Sequence, residues 1–201
     1  MSVWWRAAVN RWRRSLWQAL LWRPLFGERA ADGRALPHTR IAPSSCLEHP
    51  ECLVLGDHVF IGHFNWIEAS AGLRIDEGVQ VTHHVCITTH STHRSVRLMG
   101  AAGAGWRGAR PGDLRAPVHI GAYSFIGPFS LIEPGSVIGK GSLVCAYSQV
   151  RGSFPDFAVL AGQPARVVGD TRERDRRWLD EHPELRASYE AWAGASGREA
   201  G

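Results

Sequence analysis

Hydrophobic positions along this chain follow two rhythms. From residue 118 onward, aliphatic side chains recur every six residues, at Ile120, Ile126, Ile132, Ile138, Val144 and Val150. The next residue is Gly121, Gly127, Glu133, Gly139, Cys145 or Arg151, and Ser124, Ser130, Ser136, Ser142 and Ser148 stand four places after the first five aliphatics. A helix repeats every 3.6 residues and a strand every two, so neither alone has this period. An earlier block keeps the same beat at Leu55-Gly56, Ile61-Gly62 and Ile67-Glu68; two extra residues then shift it to Ile75, Val81 and Ile87. The pattern predicts a solenoid of short strands and tight turns. Each aliphatic residue points inward onto its equivalents in neighbouring coils, while glycine and small residues fill corners that are crowded or need positive φ. One coil cannot bury its face alone, so several must stack.

The second rhythm is helical. Trp5, Val9, Trp12, Leu16 and Leu20 recur at helical spacing, with Arg6, Arg13 and Arg14 off that stripe. Arginines interrupt every apolar run, which rules out a signal peptide and a spanning helix. Five tryptophans (Trp4, Trp5, Trp12, Trp17, Trp22) lie in this segment. Indoles prefer the membrane interface and arginine is drawn to anionic headgroups, so residues 2–23 are a candidate peripheral membrane contact. A helix docked on its own core or on a sister subunit is the alternative.

Between the repeat blocks, residues 91–117 break the beat with Gly100, Gly103, Gly105, Gly108, Pro111 and Gly112, and must leave the stack as a long loop. After Gly169 the repeat ends; Thr171 to Trp192 reads as a charged helix interrupted at Pro183, expected to cap the open end. Three parts result: an amphipathic segment over 1–40, the solenoid over 41–169 and a C-terminal helix and tail over 170–201.

Composition alters this little. In 201 residues, 44% hydrophobic and 21% charged content is ordinary for a folded soluble protein. The net charge of +4 is uneven, since Arg6, Arg11, Arg13, Arg14 and Arg23 face no acidic residue among the first 23. No nucleic-acid partner is expected. Cys46, Cys52, Cys86 and Cys145 form no CxxC pair and, without a secretory signal, read as reduced thiols in a cytoplasmic setting, at the inner face of the membrane if the helix docks there.

Ala161-Gly162-Gln163-Pro164-Ala165-Arg166-Val167, preceded by Ile138-Gly139-Lys140-Gly141-Ser142 and Pro155-Asp156-Phe157, resembles the segment that closes the β-helix of hexapeptide-repeat acyltransferases. The resemblance runs from about Leu53 to Val168. It implies an all-β solenoid, a left-handed parallel β-helix, assembled as a homotrimer with acetyl-CoA as acyl donor in grooves between subunits. Turn-by-turn matching places Pro128, Ala146, Arg151, Gly152 and Arg166 at coenzyme-contacting positions. Arg166 matches the motif directly, whereas Pro128 and Arg151 depart from the commoner residues. Small residues let a pantetheine arm approach the backbone, and arginine's fork suits phosphate. Thr89-His90-Ser91-Thr92-His93 and the Trp-rich N-terminus look most like enzymes that O-acetylate surface polysaccharides or their lipid-linked precursors.

Acyl transfer to an alcohol needs a base, and histidine suits the task near neutral pH. In the family it follows the last strand before the extruded loop, where both His90 and His93 stand. His93 ends the T-x-x-x-H stretch and precedes Arg94, which favours it; the stretch is one residue longer than the commoner T-x-x-H, which keeps His90 in play. Whichever is not the base would tie down the loop. His63-Phe64-Asn65 resembles an acceptor-contacting segment, with Asn65 the better candidate for sugar hydroxyls, although asparagine at such a corner equally serves backbone groups. Direct attack within a ternary complex is expected, a backbone N–H stabilising the oxyanion. The rivals are a zinc enzyme like the β-helical carbonic anhydrases and a non-catalytic, membrane-docked scaffold. His58 and His63 have the zinc family's spacing, but at the fourth and ninth positions of their turns rather than the third and eighth, and no metal is expected.

Overall fold

A computed structural model describes residues 3–108 and 110–194; Ser2 of the candidate membrane segment and the tail from 195 to 201 lie outside them. The six-residue beat folds as short parallel strands, each paired with the third strand along the chain. Phe125–Ile126 pairs with Leu143–Val144, Leu131–Ile132 with Gln149–Val150, and Val118–Ile120 with Val137–Ile138. Pairing at every third strand makes a three-sided coil. The first face carries Phe60–Ile61, Gln80–Val81, Phe125–Ile126 and Leu143–Val144; the second Cys46–Glu48, Trp66–Glu68, Cys86–Ile87, Leu131–Ile132 and Gln149–Val150; the third Leu53–Leu55, Leu73–Ile75, Val118–Ile120, Val137–Ile138 and Ser153–Phe154.

Inward aliphatics stack in register, as in Ile67↔Ile87↔Ile132↔Val150 on the second face, and all four are buried. Each such burial is worth about 1.5–3 kcal/mol of transfer free energy. Buried serines tie the coils together: Ser124 Oγ donates to the Gly139 carbonyl at 3.0 Å and Ser130 Oγ to that of Cys145 at 3.1 Å.

Glycine takes positive φ at corners such as Gly78 (71°), Gly135 (80°) and Gly141 (64°), but at others the two demands assigned together to glycine are divided. A Cβ on Gly121 would lie 2.5 Å from Lys140 N, and one on Gly127 2.6 Å from Ala146 N, so crowding by the next coil excludes any side chain. Positive φ falls two residues later, on Tyr123 (57°), Phe129 (60°) and Tyr147 (59°), and likewise on Phe64 (60°) and His84 (58°). That conformation costs an L-residue about 1–2 kcal/mol. Ring stacking offsets part of it. Phe64, His84, Phe129 and Tyr147 form a ladder down the corner between the first and second faces, with centroids 5.2, 4.8 and 5.0 Å apart.

Helix α1 (Val3–Leu21) precedes a hairpin, Leu25–Arg29 with Ala35–Ile41, whose second strand adds to the first face beside Phe60–Ile61. The solenoid sheet therefore begins near residue 25 rather than 41, with Leu36 and Thr39 buried beneath it. At the other end Ala158–Gly162 and Ala165–Asp170 form a hairpin on the same face, with Gln163-Pro164 at its turn. The long loop leaves between the second and third faces through an antiparallel neck, His90–Ser91 against Leu114–Arg115, and carries the short helix α2 (Ser95–Met99). The expected C-terminal helix breaks at Pro183 into α3 (Thr171–Glu181) and α4 (Arg186–Ala193). It packs beside the stack rather than across its end. The Trp192 ring meets Tyr123 at 4.7 Å and Phe157 at 5.8 Å, and Lys140 Nζ donates to the carbonyls of Trp192 and Ala193.

Candidate active site

At the corner where the loop leaves, two successive coils bring Glu68 under Thr89 and His90. Glu68 ends the strand Trp66–Glu68, and its carboxylate, 3% exposed, points into the turn of the following coil. Oε2 accepts from Thr89 N and Thr89 Oγ1, both at 2.9 Å, and Oε1 from Ser70 N at 2.6 Å. His90 Nδ1 lies 2.8 Å from Oε2, and the imidazole is 36% exposed. Burial pushes the Glu68 carboxyl upward, but the hydrogen bonds from Ser70, Thr89 and His90 outweigh it and hold the group well below the usual carboxylate range. An ionised acceptor takes a donor. Nδ1 therefore carries the hydrogen, and the lone pair of the neutral ring sits on Nε2.

His93 stands on the outer side of the loop neck, exposed, with Nδ1 2.9 Å from Ser91 Oγ, and its carbonyl accepts from Arg97 Nη1. The geometry favours His90, since the buried carboxylate belongs to it. The threonine spacing that favoured His93 counted residues along the chain; the carboxylate comes from the coil before, 22 positions earlier than His90.

Among the described residues, two further histidine–carboxylate pairs that bridge coils escaped the sequence reading. His119 Nε2 lies 2.7 Å from Asp76 Oδ2 on the third face, in a cleft of about 710 Å³ beside Tyr123, Lys140 and Trp192. Burial raises the Asp76 carboxyl, yet His119 and Arg74 bring it below its ordinary value. A signal was present, because His119 alternates with Val118 and Ile120 and so must face outward. The other pair is His38 Nδ1 with Asp57 Oδ2 at 3.0 Å, and His58 stacks on His38 with centroids 4.3 Å apart. Among the described residues, His38, Asp57 and His58 are the group whose ligand atoms lie within 4.8 Å of one another. It excludes His63, so the pair with zinc-family spacing is split. Asp57 Oδ1 is already taken by His38 N and Thr39 Oγ1, at 3.0 and 3.1 Å.

Asn65 does not offer its amide to a ligand. It is buried, Nδ2 donates to the carbonyls of Gly62 and Thr82 at 2.9 and 2.8 Å, and Oδ1 accepts from Val85 N at 2.7 Å. All of that is the corner's own backbone. His63 is also buried, with Nδ1 2.8 Å from Ser44 Oγ and its ring stacked against Trp22 at 4.5 Å. What the corner does offer is an aromatic cleft of about 480 Å³ lined by Trp22, Phe60, Phe64, His83, His84 and Phe129. Burial, then the neighbouring His63 and His84, push the His83 pKa down, and its Nδ1 accepts the His63 N–H at 2.8 Å, so the ring favours the neutral form.

The five coenzyme candidates fall on two corners. Pro128 and Ala146 occupy successive coils between the first and second faces, and Arg166, exposed, follows the hairpin turn where Gln163 Nε2 reaches the Tyr147 carbonyl. Arg151 and Gly152 lie between the second and third faces, on the same edge as His90; Arg151 is 72% exposed and 3.9 Å from Glu133. A single chain places the two groups on different corners.

The family model described as bacterial transferase hexapeptide (six repeats) matches residues 117–152, the regular repeat block. No curated protein matches the chain by sequence. Among solved structures the chain is similar to a hexapeptide-repeat containing acetyltransferase from Vibrio cholerae, at 26% identity and TM-score 0.52 over 63% of this chain and 70% of that one. It is similar to a maltose O-acetyltransferase from Clostridium difficile at 23% identity and TM-score 0.53, over 63% of each chain. An N-acyltransferase from Bacillus cereus, in complex with dTDP and 3-hydroxybutyryl-CoA, aligns at 18% identity and TM-score 0.55 over 75% of this chain and 88% of that one. The resemblance to hexapeptide-repeat acyltransferases is thus carried by repeat and fold alike, and together they imply left-handed winding of the three-sided coil.

Proposed function

We propose that this chain is an acyl-CoA-dependent O-acyltransferase that moves a small acyl group, acetyl first, onto a sugar hydroxyl of a surface polysaccharide or its lipid-linked precursor. The observation that carries this reading is the pairing of the buried Glu68 carboxylate with the partly exposed His90 at the corner where the loop leaves a hexapeptide solenoid. His90 Nε2 takes the proton of the acceptor hydroxyl as its oxygen attacks the thioester carbonyl carbon. A backbone N–H stabilises the oxyanion. When the C–S bond breaks, the imidazolium returns that proton to the sulfur and coenzyme A leaves as the thiol. Glu68 is the positioning residue, holding the ring in one tautomer and stabilising its transient charge.

The two-corner layout supports a homotrimer with acetyl-CoA between neighbours, in which Pro128, Ala146 and Arg166 of one copy meet Arg151, Gly152 and His90 of the next. Names of similar structures support the acyl-CoA donor: one is an acetyltransferase, one a maltose O-acetyltransferase, and one, an N-acyltransferase, holds 3-hydroxybutyryl-CoA.

Calorimetric titration with acetyl-CoA, followed by thiol release against free sugars, surface glycans, lipid-linked sugars and amino sugars, tests the reading. Saturable binding of acetyl-CoA and acceptor-dependent release with hydroxyl acceptors are expected. Absence of binding would remove the acyltransferase reading, and release with amino sugars alone would replace O-transfer by N-transfer.

A further inference from the structure

We propose that α1 docks the protein on an anionic lipid surface, lying in the plane of the interface with one stripe among the acyl chains. None of its 19 residues is buried. The stripe of Trp5, Val9, Trp12, Leu16 and Leu20 is maintained along the helix, and Trp12, Leu16 and Leu20 are 66, 44 and 62% exposed. The remaining surface holds Arg6, Arg11, Arg13 and Arg14; Arg23 follows the helix, and the first acidic residue of the chain is Glu28. A uniformly basic, amphipathic helix complements anionic headgroups. No described helix is long and apolar enough to cross a membrane, so this one lies on the surface.

Charge separates an anionic lipid surface from a protein groove, because five arginines precede the first acidic residue, Glu28, and Trp12 places an indole on the stripe itself. Trp4 and Trp17 lie on the arginine-bearing side, away from the stripe, and take no part in that contact. Self-association is disfavoured by charge, because copies of α1 meeting about a symmetry axis would set arginine against arginine with no carboxylate on the helix to answer them.

The helix is also held to the body. Trp22, one residue past its end, stacks on His63 at 4.5 Å and meets Phe64 edge-on at 6.0 Å. Docking would therefore set the aromatic cleft at that corner close to the bilayer, within reach of acceptors presented there. Docking through α1 does not depend on acyl transfer.

Sedimentation of the full chain with vesicles of phosphatidylcholine, with or without phosphatidylglycerol, tests it. Binding to the anionic vesicles, weakening as salt is raised, is expected, with a blue shift of indole emission. Combined Arg6→Ala, Arg13→Ala and Arg14→Ala should lower partitioning on the order of a hundredfold. Trp12→Ser with Leu16→Ser should abolish both partitioning and the shift, while circular dichroism and acetyl-CoA binding stay those of the parent. Wild-type protein that remains in the supernatant, or binds both vesicles equally, overturns the proposal. So does a change in the lipid-free sedimentation coefficient of either variant, which would show α1 holding copies together. Vesicle binding without thiol release would remove only the enzymatic reading.

Discussion

Thiol release from acetyl-CoA by the His90→Ala protein is expected to fall about 10²–10⁴-fold, the range for loss of a general base, with donor affinity nearly unchanged. The cause is local. Glu68 is buried under bonds from Thr89 and Ser70, is ionised, and has His90 Nδ1 at 2.8 Å, so removal of the imidazole removes the lone pair without disturbing the coil. His93→Ala and His119→Ala should turn over close to wild type. Glu68→Gln should lose about 10–100-fold in kcat, because the amide no longer fixes the tautomer or the imidazolium charge. Loss in His93→Ala with full activity in His90→Ala would return the role to the residue that the threonine spacing favoured.

The largest effect on stability is expected at Gly121. A Cβ there would lie 2.5 Å from Lys140 N, 2.8 Å from Gly139 C and 2.9 Å from Lys140 Cα, all backbone atoms of the next coil. Backbone cannot rotate away as a side chain can, so Gly121→Ala should cost about 3 kcal/mol, the upper part of the range for overpacking. That corresponds to a drop of roughly 6–12 °C in Tm for a chain of this size. Gly105→Ala is the control: nothing lies within 4 Å of an added Cβ, and a change within about 0.5 kcal/mol is expected. Thermal unfolding followed by circular dichroism compares the two. An unshifted Gly121→Ala midpoint would mean that the coils are not stacked as described.

The solenoid was legible because each coil must bury the same inward position. Ile120 through Val150 declare that position in sequence, and they align in the structure. The loop, the break at Pro183 and α1 were legible for similar reasons, each being a loss or change of period. Less visible was whatever depended on contacts between coils. Glu68 and His90 lie 22 positions apart and share a corner only once the coil closes. His119 and Asp76 meet across 43 positions in the same way. Asn65 illustrates the converse, a polar residue whose pattern fits a ligand contact but whose amide is consumed by Gly62, Thr82 and Val85. The first hairpin was missed although Asp32-Gly33 marks its turn, because the five residues Leu25–Arg29 carry no repeat beat. Aromatic residues at positive φ were missed because glycine was assigned the whole corner, whereas Tyr123, Phe129 and Tyr147 combine that backbone with stacking.

The most direct measurement follows the histidine ring resonances during titration with acetyl-CoA, using His90→Ala to assign the His90 signal. The expected result is a saturable change at His90, together with calorimetric binding, while His38 and His58 stay still. Binding that leaves His90 unmoved and shifts His119 or the His38–His58 pair instead would contradict the placement of acyl transfer at the Glu68–His90 corner.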